Sequence, residues 1–173
     1  EPTNSGITAL SGGTGILNLN NLHDLSSFVV DGAGGSRYTT IQSAINAVRT
    51  AGGGTIYVRP GTYTEDLVID DGAGSPGTYP ISIIGITGDG KTNEITIQGS
   101  VSVDMSVGFS PPVLGNLVAL RDVSITPQSG KNAINHTNGF ISLVNCALIC
   151  AVSTDIAFNG SVGSTGFGLS FID

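Results

Sequence analysis

The sequence predicts an all-β protein whose short strands stack as the coils of a parallel β-helix, with one α-helix closing the front. Three observations carry that expectation. A single segment has helical periodicity. The rest alternates apolar and polar residues in short runs broken by turn residues. Part of the second half repeats with a period in the low twenties.

The helix comes first. Ile41, Ala44, Ile45 and Val48 fall at i, i+3, i+4 and i+7, which gives a helix over about 40–50 one apolar face and directs Gln42, Ser43, Asn46 and Arg49 away from it. Thr39 stands three positions before Gln42, the spacing of a capping box. Gly52, Gly53 and Gly54 supply the left-handed backbone that ends a helix.

The strands follow. ISIIG (81–85), ITIQG (95–99) and VSVDM (101–105) place apolar residues at alternate positions, as half-buried strands do. LRDVSI, from Leu120 to Ile125, overlies LVNCAL, from Leu143 to Leu148. That shift sets Asp122 on Asn145, Val123 on Cys146 and Ile125 on Leu148; the same shift applied again sets Leu169 on Cys146 and Phe171 on Leu148. Longer loops at 71–80 and 106–116 interrupt the period. Coils of this size bury their apolar faces only against the coils above and below. The first coil needs a lid over its unpaired backbone groups, and the one-sided helix fits that role. A β-sandwich is the rival architecture, with Asn-Gly turns between paired strands. Asn138-Gly139 and Asn159-Gly160 recur once per coil, which suits stacked coils better.

Composition narrows the function. Six Lys and Arg against thirteen Asp and Glu leave a net charge of −7, and scattered cations at that density exclude a nucleic-acid backbone as partner. No apolar run approaches the ~20 residues that span a bilayer. Charged residues are only 11 % of the chain and glycines number 26, so the surface is largely uncharged and turn-rich. Cys146 and Cys150, four apart in a predicted strand, would hold their Cα atoms roughly 13 Å apart at ~3.3 Å per residue, beyond disulfide reach. They are expected to be free thiols facing a core with Leu148.

Two parts are expected: an arm or linker over 1–27, and a β-helix domain over 28–173 that stops inside a strand and so continues in a longer chain or under another subunit. The arm has weak alternation in ITAL and ILNLNNL but too little apolar content for its own core.

Residues 28–69, FVVDGAGGSRYTTIQSAINAVRTAGGGTIYVRPGTYTEDLVI, resemble the opening segment of the pectin lyase-like superfamily of right-handed parallel β-helices. The resemblance lies in Thr40-Ile41-Gln42, Ala44, Ile45, Gly53 to Val58 and Pro60 to Glu65. It implies a right-handed parallel β-helix with an N-terminal capping α-helix. Enzymes and structural proteins of the superfamily share this segment, so it does not choose between them. The esterase-type motifs, a Gln-Asp-Thr coil and an Asp-Phe-Ile-Phe-Gly coil, are missing from this sequence.

The residues themselves give no catalytic set. Hydrolysis of a galacturonan needs facing carboxylates, and Asp70-Asp71 sits at the mouth of a loop with no His or Lys beside it. Asp104, Asp122 and Asp155 do not group as a calcium-dependent lyase would require. Glu65 is expected to accept from backbone or to pair with Arg59. Asp122 over Asn145 is expected to form a polar ladder. His23 and His136 lack metal-ligand spacing and are expected at the surface or in turns. The glycine-rich SGGTG (11–15) and DGAGG (31–35) lack the Gly-Lys-Ser/Thr of a nucleotide loop. Asn135-His136-Thr137 and Asn159-Gly160-Ser161 fit the glycosylation sequon. No catalytic, cofactor-binding or metal-ligating residue is assigned.

The expectation is a non-enzymatic structural or surface module, a virion spike, fibre or capsid-associated protein or a cell-surface β-helix, acting in assembly or attachment. Self-association as a homotrimer, other structural proteins and a surface glycan are its candidate partners. The alternative is a carbohydrate-active, pectin esterase- or lyase-like protein whose catalytic coils lie beyond residue 173.

Overall fold

The computed structural model describes residues 28–70, 80–87, 94–105, 117–150 and 156–160, together with the strand 169–172. The expected arm 1–27 with His23 and the SGGTG segment, and the acids Asp71 and Asp155, lie outside these residues.

Among the described residues the protein is predominantly β with one helix. Its elements run β1 (Phe28–Val30), α1 (Ile41–Thr50), β2 (Gly54–Val58), β3 (Gly61–Tyr63), β4 (Leu67–Asp70), β5 (Ile81–Gly85), β6 (Ile95–Ile97), β7 (Val101–Asp104), β8 (Leu117–Arg121), β9 (Ser124–Ile125), β10 (Ile134–Asn138), β11 (Phe140–Val144), β12 (Ala147–Leu148), β13 (Phe158–Gly160) and β14 (Leu169–Ile172). They form three sheets, in the orders β1-β2-β5-β8-β11-β14, β3-β6-β9-β12 and β4-β7-β10-β13. From β2 onward each strand therefore lies beside the strand three places later, and the chain visits the same three sheets on every pass. All strand pairs among the described residues are parallel. A sandwich built from antiparallel hairpins is thereby ruled out. Asn138-Gly139 joins β10 to β11, which lie in different sheets, and Gly139 takes a φ of 92° there.

Period-2 alternation explains why these runs form strands. In ISIIG the first, third and fifth residues are buried, and their registered neighbours continue the column inward. Ile56, Ile83, Leu120 and Leu143 stack in the first sheet. Tyr63, Ile97, Ile125 and Leu148 stack in the second, and Leu67, Val101, Ile134 and Phe158 in the third. The columns meet in one continuous apolar core, which also takes in Ile41, Ala44, Ile45 and Val48 from the helix.

The sequence repeat is met in its first copy: β11 lies on β8 with Leu143 beside Leu120, and β12 lies on β9 with Leu148 beside Ile125. Its second copy is corrected. Leu169 lies beside Ile141 and Phe171 beside Leu143, so β14 belongs to the first sheet and not to the second. Alternation records which face of a strand is buried but not which sheet the strand joins, and the passes differ in length. In the first sheet the step from Ile83 to Leu120 is longer than the step from Ile56 to Ile83.

Helix α1 lies against β1, β2 and β4, and its four apolar residues are fully buried. The expected capping box is shifted by one residue: Thr40 is the N-cap, and its Oγ1 accepts from Ser43 N at 3.3 Å. The reason is tertiary. A carboxylate from the first pass occupies the two N–H groups that precede Ser43. At the other end the chain passes close to Pro80. Gly53 has φ 104°, and a Cβ there would stand 2.9 Å from the Pro80 carbonyl oxygen, so the glycine is required twice over.

Candidate functional site: the helix cap and the polar ladders

The polar groups cluster where consecutive passes must be held together. At the helix N-terminus, Glu65 Oε1 accepts from Ile41 N at 2.8 Å and Oε2 from Gln42 N at 2.9 Å. Thr40 Oγ1 takes the third amide, and Ala44 N donates to the Thr40 carbonyl at 3.4 Å. Every N–H of the first helical turn thus has a partner, two of them through a negative charge placed at the positive end of the helix dipole. Glu65 is held by backbone groups, as the sequence suggests.

Gln42 does what a neighbouring strand would do. Its Oε1 accepts from Val68 N at 2.8 Å and its Nε2 donates to the Val68 carbonyl at 3.1 Å. The side-chain amide thereby covers a stretch of the β4 edge that would otherwise be open to pairing. Arg49 forms an ion pair with Asp70 at the far end of β4. Beneath the helix start, Tyr63 donates from its hydroxyl to the Arg59 carbonyl at 2.8 Å and accepts weakly from Gly32 N at 3.4 Å. Burial is the main reason its phenol is held above its ordinary value. The Arg59 guanidinium stands 3.5 Å from Asp31.

Three ladders run along the stack. Asp66 accepts from Ser100 N at 2.8 Å and from Lys131 Nζ at 2.7 Å, and Ser100 Oγ donates to the Asn132 carbonyl at 2.7 Å. One carboxylate therefore ties three passes. Its bond to Lys131, and then that to Ser100, holds its pKa below the ordinary 3.8. At the turn between the first and second sheets, Asp122 and Asn145 both adopt left-handed backbone, with φ 56° and 49°. Asn145 Nδ2 donates to Asp122 Oδ1 at 2.7 Å. The expected ladder is thus a hydrogen-bonded pair of left-handed corner residues, a conformation that Asp and Asn tolerate better than other side chains. At the end of the third sheet Asn138 Nδ2 donates to Asp104 Oδ1 at 2.9 Å, and Asp104 lies in register with Asp70.

His136 corrects the sequence expectation. It is in β10, only 2 % exposed, at an inward position between Val103 and Gly160. Its ring stacks on Phe158 with centroids 6.1 Å apart, and Nε2 stands 3.1 Å from the Gly139 carbonyl, to which it donates. Burial lowers the basicity of the ring below its ordinary value. Its parity with Ile134 was the available signal. Cys146 and Cys150 are free thiols. Cys146 packs against the core, donates to the Leu120 carbonyl at 3.3 Å, and is held protonated by burial.

Of the sequence-selected acids, Asp70 and Asp104 share one corner and Asp122 lies at another. Asp70 and Asp104 end β4 and β7, whereas Asp122 joins β8 to β9. Asn135 in β10 accepts from Asn132, which precedes the strand, and Asn159 is exposed in β13. Gln42, Asp66 and Ser100 escaped the sequence reading because their partners lie 26, 34 and 32 residues away. No local pattern marks such pairs. Among the described residues no group of three or more His, Cys, Asp or Glu could hold a metal ion, and no helix is long and apolar enough to cross a membrane.

No protein-family model, curated protein or solved structure matches the chain. By their geometry these groups join passes to one another and the helix to the first pass.

Proposed function

We propose that the chain is a right-handed parallel β-helix of the pectin lyase-like kind, with α1 as its cap, and that its role is mechanical. It serves as a non-enzymatic structural or surface module of a virion spike or fibre, a capsid-associated protein or a cell-surface β-helix, acting in assembly or attachment. It self-associates, with a homotrimer as the expected form. One observation carries the reading: Glu65, Asp66, Asp104 and Asp122 each bond a different helix end, turn or neighbouring pass. Acids engaged in this way stiffen a stack. Glycan cleavage would instead require a facing acid and base.

Parallel passes with a shared core make a rod whose stability grows with each added neighbour, which suits a component that transmits force or presents a surface. Two measurements test the proposal. Light scattering after gel filtration should give three times the chain mass. Incubation with pectin and other acidic polysaccharides should release neither methanol nor unsaturated ends. A monomer at high concentration would overturn the assembly reading. Measurable product release, lost on substitution of a carboxylate, would favour a carbohydrate-active protein instead.

A further inference from the structure

We propose that His136 makes the junction between β10 and β13 acid-sensitive, so that mild acid loosens β13 while the earlier passes stay paired. This goes beyond the mechanical role, because it gives the stack a point that opens on a chemical signal. The geometry carries it. The imidazole fills an interior position beside Val103, over a glycine that offers no side chain, and its face lies on Phe158. An imidazolium there would be cut off from water.

The charged groups around it are few. The Gly139 carbonyl and the charge of Asp104 at the end of β7 favour the protonated ring, and Asp104 already accepts from Asn138. On β10 the neighbours Asn135, Thr137 and Asn138 are uncharged, and β13 contributes Phe158, Asn159 and Gly160. The inward residues of β8 and β11, Val118, Leu120, Ile141 and Leu143, are apolar.

The cheapest way to hydrate a protonated ring is to move β13. Its side is the weaker one: Asn159 and Gly160 are exposed, Ile156 just before it is 51 % exposed, and Ala133 N and Ile134 N reach the Ile156 and Ala157 carbonyls at 3.1 Å. Thin junctions of this kind open before the whole fold does. The sign follows from linkage. The opened form binds a proton at the ordinary value near 6.5 and the closed form binds it only at lower pH. Opening therefore increases as the pH falls below ~6.5, by at most about tenfold per pH unit for one proton, until the buried ring itself is protonated.

Hydrogen-exchange protection factors of the full chain, measured from pH 7.5 to 4.5, test this. The amides of Ala133 and Ile134, which donate across the junction, should lose protection progressively below ~6.5, by no more than about tenfold per unit. Those of Gln98 and Thr126, which join earlier passes, should hold theirs. His136→Gln should abolish the pH dependence at Ala133 and Ile134. Equal loss at all four amides, no loss, or the same loss in the variant would overturn the proposal. Should the variant fail to fold, the ring titration of the wild type decides alone: a midpoint at or above the ordinary 6.5 overturns it.

Discussion

Removing the Glu65 carboxylate should unseat the helix. In Glu65→Ala the amides of Ile41 and Gln42 lose the acceptors that stand at 2.8 and 2.9 Å. Charge-assisted bonds of this type contribute ~1.5–3 kcal/mol each when left unreplaced, but Glu65 is half-buried, so water recovers part of that loss. The favourable charge at the helix N-terminus, about 0.5 kcal/mol, goes as well. The net expectation is a loss of about 2–3 kcal/mol, which for a chain of this size lowers Tm by roughly 4–12 °C. Glu65→Gln, which keeps one acceptor oxygen and loses the charge, should fall between the wild type and the alanine variant. Urea denaturation at pH 7 gives the free energy, and amide exchange shows where it is lost: protection should fall at Ile41 and Gln42 and along the β4 edge covered by Gln42. A loss below ~0.5 kcal/mol, no more than an ordinary surface substitution produces, would refute the reasoning. So would a larger loss that left the Ile41 and Gln42 amides unchanged.

Other substitutions test the ladders. Asn145→Ala should lose ~2 kcal/mol, from the bond to Asp122 and from forcing alanine into left-handed backbone, whereas Asn145→Gly should lose less than half of that; equal losses would deny the role of φ. Gly99→Ala would bring a Cβ to 2.1 Å from the Glu65 carbonyl oxygen, and it should cost at least the ~3 kcal/mol upper end of overpacking, read from the denaturation midpoint. Asp66→Asn should cost under ~1 kcal/mol at pH 7 and 0.1 M salt, because the carboxylate and Lys131 are both about half exposed. The native carboxyl is more acidic than in the unfolded chain, so its contribution is full above the unfolded value of 3.8 and is lost as the pH falls through the lower native one. The gap between wild type and variant should therefore close in acid, as a denaturation series from pH 6 to 2 would show.

What is local in this protein is legible in its residues before any fold is known. Ile41, Ala44, Ile45 and Val48 specify a helix and its buried face because a 3.6-residue turn brings them together. Ile81, Ile83, Ile95, Ile97, Val101 and Val103 specify strands because alternate residues share a face. The match of 120–125 to 143–148 revealed one stacked pair of passes, since those two passes are equal in length and their corner residues must both be left-handed. The inward position of His136 is legible too, through its parity with Ile134.

The remainder came into being only when distant passes met. The N-cap lies at Thr40 rather than Thr39 because Glu65, 24 residues from Ile41, takes the first two amides. The strand 169–172 joins the first sheet because the number of residues between β13 and β14 sets the length of the pass, and that number carries no period. Gln42, Asp66 and Ser100 gained their roles only when the passes were superposed. Backbone preference acts over a few neighbouring residues, whereas a ladder bond requires two distant turns to arrive at one height, and that depends on the lengths of all the loops between them.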